Sequence, residues 1–434
     1  MSEESPAVTV TELVVAATGA TAPAPRARRR PTGLAGAAIG VLAAGAAAGV
    51  VVERLAMGGG VRRRARLALE FGGPYGTLRG TPGTALAEDG TALHYEVDEA
   101  PVAVPEPAPP RRRRLFGGRR EQAAVRPAPV TVVFSHGYCL NQDSWHFQRA
   151  ALRAAGVRAV YWDQRSHGRS GRGVTRAQQG PPVTIDQLGR DLKAVIDAAA
   201  PTGPLVLVGH SMGGMTVMAL AEQFPGLVRE RVAGIALVGT SSGGLADVHF
   251  GLPAVGVNAV RRLLPGVLRA LGRRADLVER GRQATADVFA GIVTRYSFAS
   301  ADVDPVVARF AERMIESTPI DVVAEFYPAF DAHDKTAALA RFHGLPVLIV
   351  AGEGDLVTPV GHSEAMAREL PEAELVRVPD AGHLVMLEHP EIVNARLADL
   401  LARAGAPSGA ATVGSHGSTR GTARPQRAEP PRSQ

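Results

Sequence analysis

The chain has 434 residues, 45% of them apolar, which is enough for a large buried core, and its single cysteine, Cys139, excludes an intrachain disulfide framework. The net charge of +6 does not mark a nucleic-acid binder: residues 130–404 hold 27 Arg/Lys against 29 Asp/Glu, so the basic excess lies in the flanks. It sits there in runs such as Arg28–Arg30, Arg62–Arg64 and Arg111–Arg114, and Lys193 and Lys335 are the only lysines, a bias that suits a GC-rich genome.

Residues 1–32 are rich in Ala, Pro, Thr and Arg without apolar periodicity and read as a disordered segment. Gly33 to Val52 then runs for twenty residues without a charged or polar side chain. As a helix that stretch covers about 30 Å, the hydrocarbon thickness of a bilayer. It is read as a transmembrane helix that would make the protein membrane-associated, and otherwise cytoplasmic. An Ala/Gly-rich low-complexity tract and a cleaved export signal are the competing readings. Basic clusters on both sides leave its orientation open. The Gly36/Gly40 and Gly45/Gly49 pairs have the GxxxG spacing of closely packed membrane helices.

Residues 53–83 form a basic connecting segment, and the main folded domain is expected over 84–404. Two short strands flank the hairpin pair Asp89-Gly90. Residues 100–129, rich in Pro and Arg, read as an exposed insertion. Apolar, β-branched runs follow at Val130–Phe134, Ala159–Trp162, Leu205–Val208, Ile235–Val238, Pro346–Val350 and Glu374–Val378. Such runs are expected of strands buried on both faces of a parallel sheet. Between them lie helical patterns such as Ile185–Ala199, with Ile185, Leu188, Leu192, Val195 and Ile196 on one face. The alternation predicts a doubly wound, mostly parallel α/β sheet. Residues 243–342, between the sixth strand and the next, predict an inserted helical cap, and 405–434 a disordered tail.

In such a sheet, ligands gather beyond the carboxyl ends of the strands. After Leu205–Val208 comes Gly209-His210-Ser211-Met212-Gly213, a G-x-S-x-G pattern between a strand and a helix, which exposes a serine hydroxyl on a strained turn. A serine needs a base, and the base an orienting carboxylate. Asp355 stands just past Pro346–Val350 and His383 just past Glu374–Val378, with Glu353, Asp380, Asp331 and Asp334 as rival acids and His362 and His389 as rival bases. The oxyanion of an acyl-transfer intermediate needs backbone N–H donors, assigned to Met212 and to Tyr138 in Ser135-His136-Gly137-Tyr138. Cys139, beside that loop, reads as a small packing residue.

His136-Gly137, Asp163-Gln164-Arg165-Ser166-His167-Gly168-Arg169-Ser170, Gly209–Gly214, Gly352–Asp355 and Gly382-His383 stand in an order that resembles the α/β-hydrolase superfamily over about residues 84–404. The likeness is greatest to its capped bacterial group of esterases, lipases and cofactor-free haloperoxidases. One departure is Ser166, where the family's D-x-R-G-H-G-x-S has glycine. Arg165 and His167 are read as loop braces.

The resemblance implies ester hydrolysis through an acyl-Ser211 intermediate, without cofactor or metal. The serine at 211 argues against relatives that use an aspartate nucleophile. A ligand-binding receptor on this fold and a membrane-tethered structural protein are the alternatives. The expected partner is a small molecule with an apolar group, met by cap residues such as Phe289, Tyr296, Phe298, Met314, Phe326 and Tyr327, most of them cap core. Oligomeric state is not readable from the sequence.

Overall fold

The computed structural model describes residues 75–100, 129–173, 182–245, 248, 266, 286–300 and 302–405. The segment 1–32, the span read at 33–52, most of 53–83, nearly all of the 100–129 insertion, the first half of the cap and the tail beyond 405 lie outside the described residues.

Among the described residues, eight strands form one sheet. They are β1 (Thr81–Leu86), β2 (Ala92–Asp98), β3 (Thr131–Ser135), β4 (Arg158–Trp162), β5 (Leu205–His210), β6 (Val232–Val238), β7 (Val347–Gly352) and β8 (Glu374–Val378). Their spatial order is β1-β2-β4-β3-β5-β6-β7-β8; β1, β2 and β4 pair antiparallel and the remaining neighbours pair parallel. The expected hairpin forms around Gly90, at φ +80°. Its first strand begins at Thr81, three residues inside the segment assigned as a connector.

The helices are α1 (His146–Ala154), α2 (Ile185–Ala199), α3 (Met212–Gln223), α4 (Pro225–Arg231), α5 (Ala286–Ser297), α6 (Pro305–Glu316), α7 (Ile320–Asp331), α8 (Val360–Glu369), α9 (Val385–Glu388) and α10 (Pro390–Arg403). α2 matches its expected span and starts where Thr184 accepts the Gln187 N–H at 3.1 Å. Among the described residues, the chain between β6 and β7 carries α5, α6 and α7.

The near-continuous apolar strands divide by alternation into two cores. Val132, Phe134, Val206, Val208, Ala236, Val238, Leu348 and Val350 face one side and pack with Leu397, Leu400 and Leu401 of α10. Val133, Leu205, Leu207, Ile235, Leu237, Val347 and Ile349 face the other, against Leu192, Val195 and Ile196 of α2 and Val217 and Met218 of α3. Each such fully buried side chain contributes about 1.5–3 kcal/mol relative to exposure. The sheet is therefore a rigid base for the loops at its carboxyl edge. From β3 the chain crosses first to β4 and then back to β5, so the strand order reverses there. The loops after β3 and β5 thus border the switch-point crevice.

Candidate active site

Ser211 turns the chain from β5 into α3. Its φ of +51° and ψ of −119° are unfavourable for a residue with a Cβ, so the surroundings must hold it there. Its N–H donates to Val238 O at 3.0 Å, and its carbonyl accepts from the Thr240 hydroxyl at 2.7 Å. Both motif glycines are demanded by crowding: a Cβ on Gly209 would lie 2.4 Å from Gly213 O, and one on Gly213 would lie 2.1 Å from Ser135 O.

Asp355 and His383 come together from the loops after β7 and β8. His383 Nδ1–H donates to Asp355 Oδ2 at 2.8 Å, and both residues are buried. Asp355 also accepts the N–H groups of Val357 and Thr358 on Oδ1, at 2.7 and 2.9 Å, and the Thr358 hydroxyl on Oδ2 at 2.8 Å. Burial alone would raise its pKa. The adjacent imidazole and the hydrogen bonds from His383 and Thr358 outweigh that and hold it below the ordinary carboxylate value. Thr358 Oγ1 lies 3.4 Å from His383 Nδ1, so it braces the pair from the side. No sequence pattern singles Thr358 out.

The rival groups face elsewhere. Glu353 pairs with Arg377, Asp380 is exposed and Asp331 is exposed. Asp334 accepts from Thr336 N. His362 meets Ser241 and Gly243, and His389 is half-buried with its Nε2 toward Asp380 O.

Ser211 approaches His383 through its neighbour. His210 Nε2–H donates to the His383 carbonyl at 2.9 Å, and the two rings are 4.8 Å apart at their centroids. Among the described residues the Ser211 hydroxyl is in no hydrogen bond, so a resting Ser211–His383 bond is not formed. Bonds of that kind commonly tighten only when substrate is bound.

The loop after β3 lies against the serine: a Cβ on Gly137 would be 2.5 Å from His210 Nδ1 and 3.2 Å from Ser211 Cβ. Tyr138 follows at once. Among the described residues neither the Tyr138 N–H nor the Met212 N–H, the first of α3, donates a hydrogen bond. Two unused donors therefore flank the serine, an arrangement that suits a developing oxyanion.

Neutral histidines brace this loop. Gln164 N–H donates to His136 Nε2 at 2.9 Å, so His136 carries its proton on Nδ1, facing Gly137 O at 2.7 Å. Cys139 N–H donates to His167 Nε2 at 3.2 Å, and His167 Nδ1 faces Arg165 O at 2.9 Å. Burial holds the His136 pKa down to about 4; burial and the neighbouring His136 hold that of His167 to about 3. Arg165 is locked by Asp191 and Asp89, so the brace reading of Arg165 and His167 stands. Ser166, the departure from the family pattern, has a φ of +64°, which explains why glycine suits that place. Cys139 is buried, as a packing residue would be.

Helix α7 covers the serine side of this loop. Phe326 packs with Met212, Met215 and Tyr138, and the Tyr138 hydroxyl donates to Val323 O at 2.5 Å. Phe298 and Met314 are buried in the adjoining core. Among the described residues no group of three or more His, Cys, Asp or Glu is arranged to hold a metal ion.

The family model described as alpha/beta hydrolase fold matches residues 130–390. The chain is 29% identical over 266 residues to the dihydrolipoyllysine-residue acetyltransferase component of an acetoin cleaving system from Pseudomonas putida. That match covers 61% of this chain and 62% of that protein, less than two thirds of its length. It is 28% identical over 290 residues to an sn-1-specific diacylglycerol lipase of Mus musculus, covering 63% of this chain and 85% of the lipase. Among solved structures, an esterase of Thermogutta terrifontis superposes with a TM-score of 0.53 at 22% identity, over 75% of this chain and 99% of the esterase. That likeness concerns the fold.

Proposed function

Because this chain belongs to the α/β-hydrolase fold family, we propose that it is a serine hydrolase that cleaves an ester bond through an acyl intermediate on Ser211. The observation that carries the reading is the buried His383–Asp355 pair, held at the sheet's carboxyl edge beside the strained turn of Ser211.

His383 Nε2 takes the Ser211 proton as Oγ attacks the substrate carbonyl. The oxyanion that forms accepts from the Tyr138 and Met212 N–H groups. His383 passes the proton to the leaving alcohol, and the acyl-serine ester remains. A water then gives its proton to the same nitrogen and adds to the acyl carbon; collapse returns the proton to Ser211 and releases the acid. Asp355 holds the ring with Nε2 toward the serine and stabilises each transient imidazolium.

The substrate is an ester with a small or medium apolar acyl or alkyl group. The apolar cluster of Tyr138, Met212, Met215 and Phe326 beside the serine supports this, and so does the lipase among the relatives. A panel of nitrophenyl esters graded by acyl length tests it, run beside fluorophosphonate labelling of wild type and Ser211→Ala. Hydrolysis and labelling should both vanish in the variant. Labelling that persists removes Ser211 from its role.

A membrane span at residues 33–52 belongs to the same proposal and rests on the uncharged length in the sequence. The full chain should then stay with membranes through carbonate extraction, while a chain starting near Arg66 should not. Full-length protein found wholly in the soluble fraction removes the span.

A further inference from the structure

Glu388, the last residue of α9, has no part in the chemistry above, yet its carboxylate gathers backbone donors from two separate segments. Oε2 accepts the N–H of Gly382, the residue before His383, at 2.6 Å. Oε1 accepts the N–H groups of Ala299 and Ser300 at 3.0 and 2.7 Å. Those two residues follow α5, in the stretch between β6 and β7. Hydrogen bonds to an ionised acceptor are about twice as strong as neutral ones, and here one carboxylate joins both segments.

The contact is reinforced on both sides. Leu384 N–H donates to Ser297 O at 2.8 Å, and Phe298 is buried in the core that holds Ala381 and Leu384. A Cβ on Gly382 would lie 2.6 Å from the Phe298 carbonyl carbon. A Cβ on Gly354, next to Asp355, would lie 2.4 Å from Ala299 Cβ. Residues 297–300 therefore rest directly on the loops of both Asp355 and His383, backbone against backbone at Gly382 and through the Ala299 side chain at Gly354.

We propose that Glu388 is a positioning residue for His383. It fixes the His383 loop to the 297–300 segment, so the imidazole is aligned only while that segment is docked. This deepens the reading of His383 as the base and rests on it. Misalignment of a base by about 1 Å costs on the order of 10²-fold in rate.

The test uses the full chain with Glu388→Ala, Glu388→Gln, and the exposed Glu391→Ala as control. On a nitrophenyl ester, Glu388→Ala should lower kcat by roughly 10- to 100-fold and leave KM within about twofold. Glu388→Gln, which keeps one accepting oxygen, should fall between it and wild type. In an Asp355→Asn background the same substitution should cost much less, because both residues act through one imidazole and their effects do not add. A raised KM at unchanged kcat, or an equal loss in both backgrounds, overturns the proposal.

Amide exchange supplies a readout that needs no activity. Backbone amides at 299–300 and at 382 should exchange faster together in the variants, and exchange unchanged at either segment also overturns the clamp. A wild-type chain that hydrolyses no ester and resists labelling would sink the hydrolase reading instead, while coupled exchange would leave the clamp standing.

Discussion

His136 and His167, on the loops after β3 and β4, are buried like His383, on the loop after β8, yet the two regions hold their imidazoles in opposite ways. In the first region each ring is bonded at both nitrogens to backbone groups. His210 follows the same pattern at Nε2, and its Nδ1 is buried without a partner among the described residues. Backbone groups satisfy a neutral ring, and their carbonyls offset only part of the cost of burying a charged one. Burial accordingly pulls the pKa values of His136, His167 and His210 down to about 4, 3 and 3. In the second region a side-chain carboxylate, that of Asp355, faces Nδ1 in place of a backbone group. Histidine as a residue type therefore says little about proton transfer; the partner on the far nitrogen decides it.

The sharpest way to break this contrast is to exchange the histidines one at a time for glutamine. His383→Gln should cost on the order of 10⁶ in kcat, the scale of a lost triad base. His136→Gln, His167→Gln and His210→Gln should each cost about tenfold to a hundredfold, through loop geometry alone. Ester kinetics on all four variants decide the matter. Equal losses across the set would erase the distinction between brace and base.

The acid comes next. Asp355→Asn should lower kcat by about 10⁴ while the fold survives, since the amide favours the wrong tautomer. Glu353→Gln and Asp380→Asn should cost about tenfold or less, because Glu353 is turned to Arg377 and Asp380 is exposed. If either neighbour collapses the activity and Asp355→Asn does not, the pair has been misassigned.

A smaller effect appears in stability. A histidine near pKa 3 when folded and about 6.5 when unfolded takes up a proton on unfolding anywhere between those values. Its contribution is thus complete above about pH 6.5 and declines by up to about 1.4 kcal/mol per pH unit below that. His210→Gln lacks this dependence. The stability lead of wild type over His210→Gln, from urea unfolding, should therefore shrink as pH falls from 6.5 to 5. A lead that stays constant would mean the ring is not held neutral.

The smallest change is expected from Tyr138→Phe. It keeps the backbone N–H and removes only the hydroxyl that reaches Val323 O of α7. Loss of one such bond costs about 1 kcal/mol of stability, and kcat should stay within about tenfold. A collapse of kcat without a loss of stability would show that the link to α7 itself governs the oxyanion loop.

Much of this candidate site is legible in the sequence. Parallel strands buried on both faces must be apolar along their length, so the strands from β3 to β7 stand out as β-branched runs, while the edge strand β8 carries Glu374 and the exposed Arg377. The residues past their ends were then the ones to weigh. The G-x-S-x-G spacing is itself steric: at Gly209 and Gly213 a Cβ would strike another backbone segment, and composition records that directly. What stayed hidden were contacts between segments distant in the chain. Nothing near Thr358 announces that its hydroxyl serves Asp355. Nothing in the sequence marks Glu388, although its carboxylate meets backbone N–H groups more than eighty residues away. His210 filled a variable place in a motif and became visible only through its bond to the His383 carbonyl.

The sequence by itself determined the layered α/β architecture, the order of the candidate site residues along it and the turn that strains Ser211, because hydrophobic period and glycine placement are local properties of the chain. Tertiary structure alone decided which acid faces His383, which histidines stay neutral and how the 297–300 segment bears on the base loop. Those outcomes depend on burial and on hydrogen-bond partners brought in by other strands and helices. A buried group's protonation is set by what surrounds it in space, and neighbours in sequence supply only a small part of that surrounding.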